Sequence, residues 1–159
     1  MTRRLSLEPI TVEAFAPFGQ LLLPPKLGHG RLELVEDLQN GRKSARPRLS
    51  FATVQPKVLP LMAVEMERHV HSSQAFMPLD CASYLVLVAP HGADGLPDID
   101  GLRAFMIPGD TGINYRADTW HHPLSALERV ARFAIFMFVD DTAADEQFLP
   151  LPEQVMIEG

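Results

Sequence analysis

Apolar residues along the chain fall in short runs that either alternate with polar residues or end at turn residues. Residues 84–89 (YLVLVA) and 133–139 (FAIFMFV) are continuous apolar runs of the length of buried strands. Residues 61–71 (LMAVEMERHVH) alternate from Val64 onward. Other strand-like pieces lie at 21–23, 48–55, 74–79, 102–107 and 112–115. Short strands at a spacing of roughly 8–12 residues predict an all-β sandwich or barrel.

Prolines and glycines, 14 and 10 in number, are scattered along the chain and leave little room for long helices. The pattern predicts one or two short ones. The first covers 11–19, with Thr11 as its N-cap and Gly19 at its end. The second lies within 29–44, where it would use three apolar positions: Leu32, Val35 and Leu38. No repeat, low-complexity tract or linker divides the sequence, which predicts a single domain over 1–159.

Composition and charge exclude several classes of protein. The chain has 159 residues, of which 47% are hydrophobic and 21% charged, and these values argue against disorder and allow a sizeable core. The net charge is −6, and no Lys/Arg cluster marks a nucleic-acid face. The densest positive stretch, 42–48, is expected to be a solvated loop, in which an arginine could meet an anionic small molecule.

The sequence also bears on the compartment. Its longest apolar runs are far shorter than the ~20 residues of a membrane-spanning helix, so no membrane partner is expected. The N-terminal segment lacks the long apolar region of a signal peptide. The single cysteine, Cys81, excludes an internal disulfide and a multi-cysteine zinc site. These features predict a cytoplasmic protein.

Four of the six histidines form two groups about fifty residues apart. His69 and His71 share one face if 61–71 is a strand, and Glu67 lies on that face as well. His121 and His122 are adjacent, so only one of them can easily join His69. A barrel can bring two such strands together in a shared site. The alternative is a solvated polar face and a pair of turn histidines beside a core tryptophan.

The two histidine segments also carry a resemblance. An HxH strand followed by a later TWHHP segment is similar to the cupin layout of a small jelly-roll barrel. More narrowly, the chain resembles the ureidoglycolate lyase family of allantoin catabolism, a branch of purine degradation. The matching segments are LEPITVEAFAPFGQLL, MERHVHSSQAFMPL, YLVLVAP, LRAFMIPGDTGINYRADTWHHPLSAL and FMFVDD, which span nearly the whole chain. The resemblance implies cleavage of (S)-ureidoglycolate to glyoxylate and urea, and a homodimer.

By matching position, the resemblance implies that His69, His121 and Gln74 are catalytic. Imidazoles suit the removal and return of a proton near neutral pH, and the amide of Gln74 suits the ureido group. Tyr115 and Asn114 are expected to line the pocket. An arginine fork suits the substrate carboxylate, and three alternatives stay open: Arg48, Arg103 and Arg116.

A metal is a separate question. A metal-binding cupin carries a Glu four or five residues after the second His of HxH, where this chain has Ala75 and Phe76. The carboxylate ligand is therefore expected to be missing. His69, His71 and His121 could still hold a divalent ion with water, and a site without metal is the alternative.

Three features depart from the family pattern: His71, the turn 116–118 and the run 141–147. Two further functions therefore stay open beside the lyase. One is another cupin enzyme, such as a metal-dependent isomerase or dioxygenase. The other is a non-catalytic cupin that binds a small molecule.

Overall fold

The computed structural model describes residues 2–34 and 36–159, and almost all regular structure in these ranges is β. The strands are β1 Thr2–Ser6, β2 Glu8–Pro9, β3 Gly19–Leu22, β4 Arg46–Val54, β5 Leu61–Arg68, β6 Gln74–Asp80, β7 Ser83–Ala89, β8 Arg103–Pro108, β9 Gly112–Tyr115, β10 Trp120–His121, β11 Ser125–Leu127, β12 Ala131–Val139 and β13 Gln147–Glu158. The helices are α1, Val12–Phe15, and a 3-10 helix, Ala143–Asp145.

The strands form two sheets that pack face to face as a barrel of the jelly-roll type, which confirms the predicted all-β fold class. The larger sheet has the order β1-β13-β5-β10-β7-β8-β2, and β11 also pairs with β7. The smaller has the order β3-β9-β6-β12-β4. The β1–β13 and β2–β8 pairs are parallel, and the other strand pairs are antiparallel.

Strand β7 lies between β10 and β8 in the larger sheet and is buried on both faces. Tyr84, Val86 and Val88 pack between the sheets with residues of β9 and β12. Leu85 and Leu87 pack on the opposite face in a second apolar cluster with Trp120. This two-sided burial explains why the sequence of β7 is a continuous apolar run and does not alternate.

The two helix predictions have different outcomes. Helix α1 begins where predicted, and Oγ1 of Thr11 accepts a hydrogen bond of 3.1 Å from the amide of Ala14. It ends at Phe15, before Pro17, because proline has no N–H to continue the hydrogen-bond ladder of the helix. The predicted helix within 29–44 is wrong for residues 29–34 and 36–44, and Val35 lies outside the described residues.

Tertiary hydrogen bonds explain the absence of that second helix. The amide of Gly41 donates to the carbonyl of His71 at 2.7 Å, and the amide of Ser73 donates to the carbonyl of Gln39 at 3.1 Å. Backbone groups that a helix would use internally are thereby bound to the turn after β5. Residues 39–41 lie across that turn as a strap.

The sequence pattern missed the C-terminal strand β13. It contains Pro150 and Pro152, which remove ladder donors, and its pairing with β5 shifts register between Pro150 and Val155. The strand is completed by parallel pairing with β1, which joins residues from opposite ends of the sequence. Within the described ranges, no helix has the length and apolar character needed to cross a membrane.

Candidate active site

A row of side chains crosses the smaller sheet on the face that looks into the barrel. In register, Arg48 of β4 lies beside Met137 of β12, Met137 beside Gln74 of β6, and Gln74 beside Tyr115 of β9. Residues paired in this way share a face of the sheet. Tyr115 belongs to the core cluster between the sheets, so the row lies on the inward face, and Arg48 is exposed at its outer end.

His121 of β10 faces this row from the larger sheet. It lies between Glu67 of β5 and Val88 of β7 in register. Its ring stacks on the ring of Tyr115, with centroids 4.1 Å apart and planes inclined by 18°. The neighbouring Trp120 packs on the opposite face of the sheet, as strand alternation requires. The two sheets therefore meet at the His121–Tyr115 pair.

His69 completes a cluster with His121 and Glu67. The centroids of the two imidazoles are 5.4 Å apart, and the rings are only 5% and 1% exposed. One ligand-type atom from each of Glu67, His69 and His121 lies within 4.8 Å of the others. The structure thus brings together the two histidine segments that the sequence placed about fifty residues apart.

Hydrogen bonds set the tautomer of each imidazole. Nδ1 of His69 lies 2.8 Å from the carbonyl oxygen of Asp145, and Nδ1 of His121 lies 2.9 Å from that of Thr119. A carbonyl oxygen can only accept, so each Nδ1 carries a hydrogen, and Nε2 is the atom at which each ring gains or loses a proton. Both Nε2 atoms are buried and lack a hydrogen-bond partner within the described part of the chain.

Burial and mutual charge set the protonation of the cluster. Burial lowers the pKa of His69, and the neighbouring His121 acts in the same direction. Burial also opposes ionisation of Glu67, but the imidazole of His121, with Nε2 3.3 Å from Oε1, outweighs it and the pKa of Glu67 is lowered. Burial raises the pKa of Tyr115 well above its ordinary value. At neutral pH the cluster therefore contains a carboxylate, a neutral His69 and a protonated phenol.

The cluster has the donor set of a divalent-cation site. Two imidazole nitrogens and one carboxylate with open positions is a combination that binds zinc and other divalent metals in enzymes. The carboxylate expected to be missing is supplied by Glu67, two residues before His69 and on its face of the strand. The i, i+2 spacing was the available signal for this residue.

His71 is not part of the cluster. The sequence predicted His69, His71 and His121 as possible metal ligands, whereas the structure groups His69 and His121 with Glu67. The physical reason is that β5 ends at Arg68 and the chain turns at residues 70 and 71. Strand alternation therefore stops before His71, and the face shared by Glu67 and His69 does not extend to it.

Gln74 and Arg48 approach each other above Met137. Nε2 of Gln74 lies 3.7 Å from Sδ of Met137, and Nη2 of Arg48 lies 3.3 Å from the same sulfur. Oε1 of Gln74 is buried and has no hydrogen-bond partner within residues 2–34 and 36–159. A thioether is a weak acceptor, so both side chains keep hydrogen-bonding capacity for a ligand.

The other predicted site residues lie elsewhere. Asn114 is on the opposite face from Tyr115, and its Nδ2 donates to Oε1 of Gln20 at 2.9 Å. Arg103 donates two hydrogen bonds, of 2.7 and 3.2 Å, to the carboxylate of Glu8. Arg116 donates to the carbonyl of Pro17 at 3.0 Å. The structure does not bring these three residues together with the histidines.

His122 is turned away from the cluster as well. Its Nδ1 lies 2.8 Å from the carbonyl oxygen of Pro123, and burial lowers the pKa of its ring. Of the two adjacent histidines, only His121 contributes to the cluster. This is the division that alternation along a strand predicts.

Comparisons with known proteins identify the family of this chain. The family model described as ureidoglycolate lyase matches residues 2–158. The ureidoglycolate lyase of Burkholderia cepacia is 41% identical over 82% of this chain and 77% of its own length. That of Escherichia coli O1:K1 / APEC is 36% identical over 82% of this chain and 84% of its own.

Among solved structures, the similarity is more distant. The dTDP-6-deoxy-D-glucose-3,5-epimerase of Legionella pneumophila Philadelphia 1 matches 62% of this chain and 51% of its own at 13% identity, with a TM-score of 0.43. The sequence relatives and the match over residues 2–158 are sufficient: the chain belongs to the ureidoglycolate lyase family.

Proposed function

We propose that this protein cleaves (S)-ureidoglycolate to glyoxylate and urea, and that Glu67, His69 and His121 form its catalytic centre. The observation that carries the proposal is the convergence of the two buried imidazoles and one carboxylate opposite Gln74 and Tyr115, in a chain of the ureidoglycolate lyase family. The relatives that bear this name do not favour another cupin enzyme or a non-catalytic binding protein.

The reaction is an elimination from a carbinolamide, in which one carbon carries the hydroxyl, the carboxylate and the ureido nitrogen. A base removes the hydroxyl proton while the carbonyl of glyoxylate forms. The carbon–nitrogen bond breaks with its electron pair moving to nitrogen, and that nitrogen takes up a proton so that urea leaves as a neutral molecule. The atoms balance without water, oxidant or reductant.

His69 is the proposed base. Burial keeps its ring neutral, and the hydrogen bond from Nδ1 to the carbonyl of Asp145 leaves the lone pair on Nε2. Because Nε2 has no partner among the described residues, it can accept the substrate hydroxyl proton without breaking an existing hydrogen bond. A general base of this kind contributes typically 10²–10⁴-fold to a rate.

His121 is the proposed carrier of the proton that urea takes up. Its Nε2 faces Oε1 of Glu67 at 3.3 Å, so a proton on this nitrogen is held beside a carboxylate. Stacking on Tyr115 and the contact from Nδ1 to Thr119 fix the plane of the ring. The imidazole is thereby oriented toward one position, as efficient proton transfer requires.

Arg48 is the proposed partner of the substrate carboxylate. Of the three candidate arginines, Arg103 is held by Glu8 and Arg116 by backbone carbonyls, whereas the hydrogen bond found for Arg48 goes to the sulfur of Met137. It also lies in the inward row with Gln74, whose unpartnered Oε1 can accept from the ureido N–H groups.

The three side chains of the cluster also fit a divalent cation, and the two unpartnered Nε2 atoms are the feature that supports this fit. Such an ion would polarise the hydroxyl and carboxylate oxygens of the substrate. The metal content of the purified protein decides whether Nε2 of His69 accepts a proton or binds an ion.

We further propose that the protein is a cytoplasmic homodimer. The outer face of the smaller sheet supports the dimer, because Leu49 and Phe51 of β4 are 58% and 73% exposed beside Phe136 and Met77 of the neighbouring strands. Contiguous apolar surface of this kind is typical of an interface between protein copies. Cys81 as the single cysteine fits a reduced compartment.

An assay of glyoxylate released from racemic ureidoglycolate tests the function. The proposal predicts release of equal amounts of glyoxylate and urea, with consumption stopping when half of the racemate is used. Failure to release glyoxylate, with or without added divalent metal, would refute the lyase function and favour the alternative of a binding protein.

A further inference from the structure

The loop that follows β12 contacts the candidate base, His69, at its Nδ1 atom. The carbonyl of Asp145, in the 3-10 helix Ala143–Asp145, is the group that accepts the hydrogen of Nδ1 of His69 at 2.8 Å. A hydrogen bond at this nitrogen decides which tautomer the ring adopts and which way Nε2 points. The position of Asp145 is therefore part of the geometry of the site.

Arg42 holds this loop in place. Its Nη2 donates to Oδ1 of Asp145 at 2.6 Å, and its Nη1 donates to Oδ1 of Asp140 at 2.8 Å. The guanidinium side chain is 12% exposed and both carboxylate side chains 15%, so the pairs are largely shielded from water. Shielded, charge-assisted hydrogen bonds of this kind are stronger and more rigid than pairs on the open surface.

The carboxylates of Asp140 and Asp145 also accept hydrogen bonds from the loop and from Ser44. The carboxylate of Asp145 accepts from the amides of Asp140 and Asp141 at 3.0 and 2.8 Å, which closes the loop on itself. The carboxylate of Asp140 accepts from Oγ of Ser44 at 2.9 Å and from Oγ1 of Thr142 at 2.6 Å. Arg42 thus lies at the centre of a hydrogen-bond network that also includes Asp145, the residue whose carbonyl accepts from Nδ1 of His69.

We infer that Arg42 is a positioning residue, which acts through Asp145 to hold His69 in its Nδ1–H tautomer with Nε2 toward the substrate. Arg42 touches neither His69 nor Gln74 in the hydrogen-bond network, so its effect is indirect. Arg42 belongs to the basic segment 42–48, and Asp145 belongs to the run 141–147. It rests on the proposed function only where activity is measured.

The chain offers a matched control. Arg46 comes from the same basic segment and pairs with Asp141 in the same loop, but that ion pair is about 60% exposed and makes no hydrogen bond to Asp140 or Asp145. Arg46→Gln removes one guanidinium–carboxylate contact to the loop and leaves the connection to His69 intact. Arg42→Gln removes the shielded fork.

The test measures the tautomer and the kinetics of the same variants. Nitrogen-15 correlation spectra of the histidine rings report which nitrogen of His69 carries hydrogen in the folded protein, whether or not the protein is an active lyase. We expect Arg42→Gln to lose the single Nδ1–H signal of His69 and to lower kcat by about 10–100-fold, the usual effect of removing such an outer partner. KM should change less than kcat, because Arg42 does not contact substrate.

Arg42→Lys is the second variant, used to decide the matter if Arg42→Gln does not fold. An ammonium cannot hold both carboxylates as a planar fork does, so a smaller loss in the same direction is expected. Arg46→Gln should keep both the tautomer and kcat. The inference is overturned if folded Arg42 variants retain the Nδ1–H signal and a kcat within twofold of the parent. A wild-type protein without lyase activity would refute the proposed function but leave the tautomer measurement valid.

Discussion

The imidazole rings of His69 and His121 lie with their centroids 5.4 Å apart, one just beyond the end of β5 and the other on β10. Each ring donates from Nδ1 to a backbone carbonyl, and Nε2 of His121 lies 3.3 Å from Oε1 of Glu67. The two imidazoles and the carboxylate of Glu67 form one proton-handling centre.

Removal of either imidazole should abolish turnover. His69→Ala and His121→Ala each delete one proton-transfer group, and kcat/KM in the glyoxylate assay should fall by at least the 10²–10⁴-fold that such a group contributes. His122→Ala is the control, since its ring hydrogen-bonds away from the cluster, and its loss should be milder. Circular dichroism should show that all three variants keep the fold. Wild-type kcat/KM in His121→Ala would take that residue out of the site.

Glu67→Gln should lower activity without a change in side-chain shape. The substitution removes the carboxylate that faces Nε2 of His121 and one of the three donors suited to a cation. We expect kcat/KM to fall by about 100-fold, together with any divalent metal that mass spectrometry finds in the parent protein. Glu65→Gln changes an exposed neighbour on the same strand and should leave both quantities unaltered. Equal effects of the two substitutions would contradict the role of Glu67.

Arg48→Met should weaken substrate binding more than chemistry. A hydrogen bond to a charged group is worth about 1.5–3 kcal/mol, which corresponds to a rise in KM of roughly 10–150-fold. Arg116→Met is the matched control, because Arg116 is bound to the carbonyls of Ala16 and Pro17 and lies apart from the inward row. An unchanged KM in Arg48→Met would show that Arg48 does not bind the substrate carboxylate.

Asp140→Asn should show how the network around Arg42 responds to acid. Hydrogen bonds from Thr142, with further help from Ser44 and the charge of Arg42, lower the pKa of Asp140 to about 2, against an ordinary value of 3.8. A group with a depressed pKa adds stability above the unfolded-state pKa and loses it as the pH falls toward the folded-state value. The difference in unfolding free energy between parent and Asp140→Asn should therefore be full at pH 7 and shrink between about pH 4 and pH 2. Urea denaturation at several pH values measures it, and a difference that grows toward pH 3 would refute this account.

Phe51→Glu should produce a monomer. The substitution places a charge in the middle of the exposed apolar face of β4 and β12, where a second copy would have to desolvate it. Size-exclusion chromatography with light scattering should give the mass of two chains for the parent and of one for the variant. A parent protein that is monomeric at micromolar concentration would refute the proposed homodimer.

The sequence predicted the parts of the structure that follow from local pattern. The apolar run at 84–89 became β7, the cap at Thr11 begins α1, and alternation allowed only one of His121 and His122 to join His69. These features depend on the side-chain period of strands and on one local hydrogen bond, which are visible in a few neighbouring residues.

The parts that the sequence did not predict depend on distant contacts. Strand β13 exists because β5 and β1 pair with it despite two prolines. The strap at 39–41 is fixed by the turn after β5, and that same turn removes His71 from the cluster. Neither the end of β5 nor the approach of the loop around Asp145 to His69 is encoded in the local pattern of apolar residues.

A crystal structure of the protein soaked with glyoxylate tests the central claim most directly. The account predicts that the product binds between the Nε2 atoms of His69 and His121, with its carboxylate toward Arg48 and within reach of Gln74. Glyoxylate bound at another surface while this cluster stays empty, or two imidazoles that face away from each other, would contradict it.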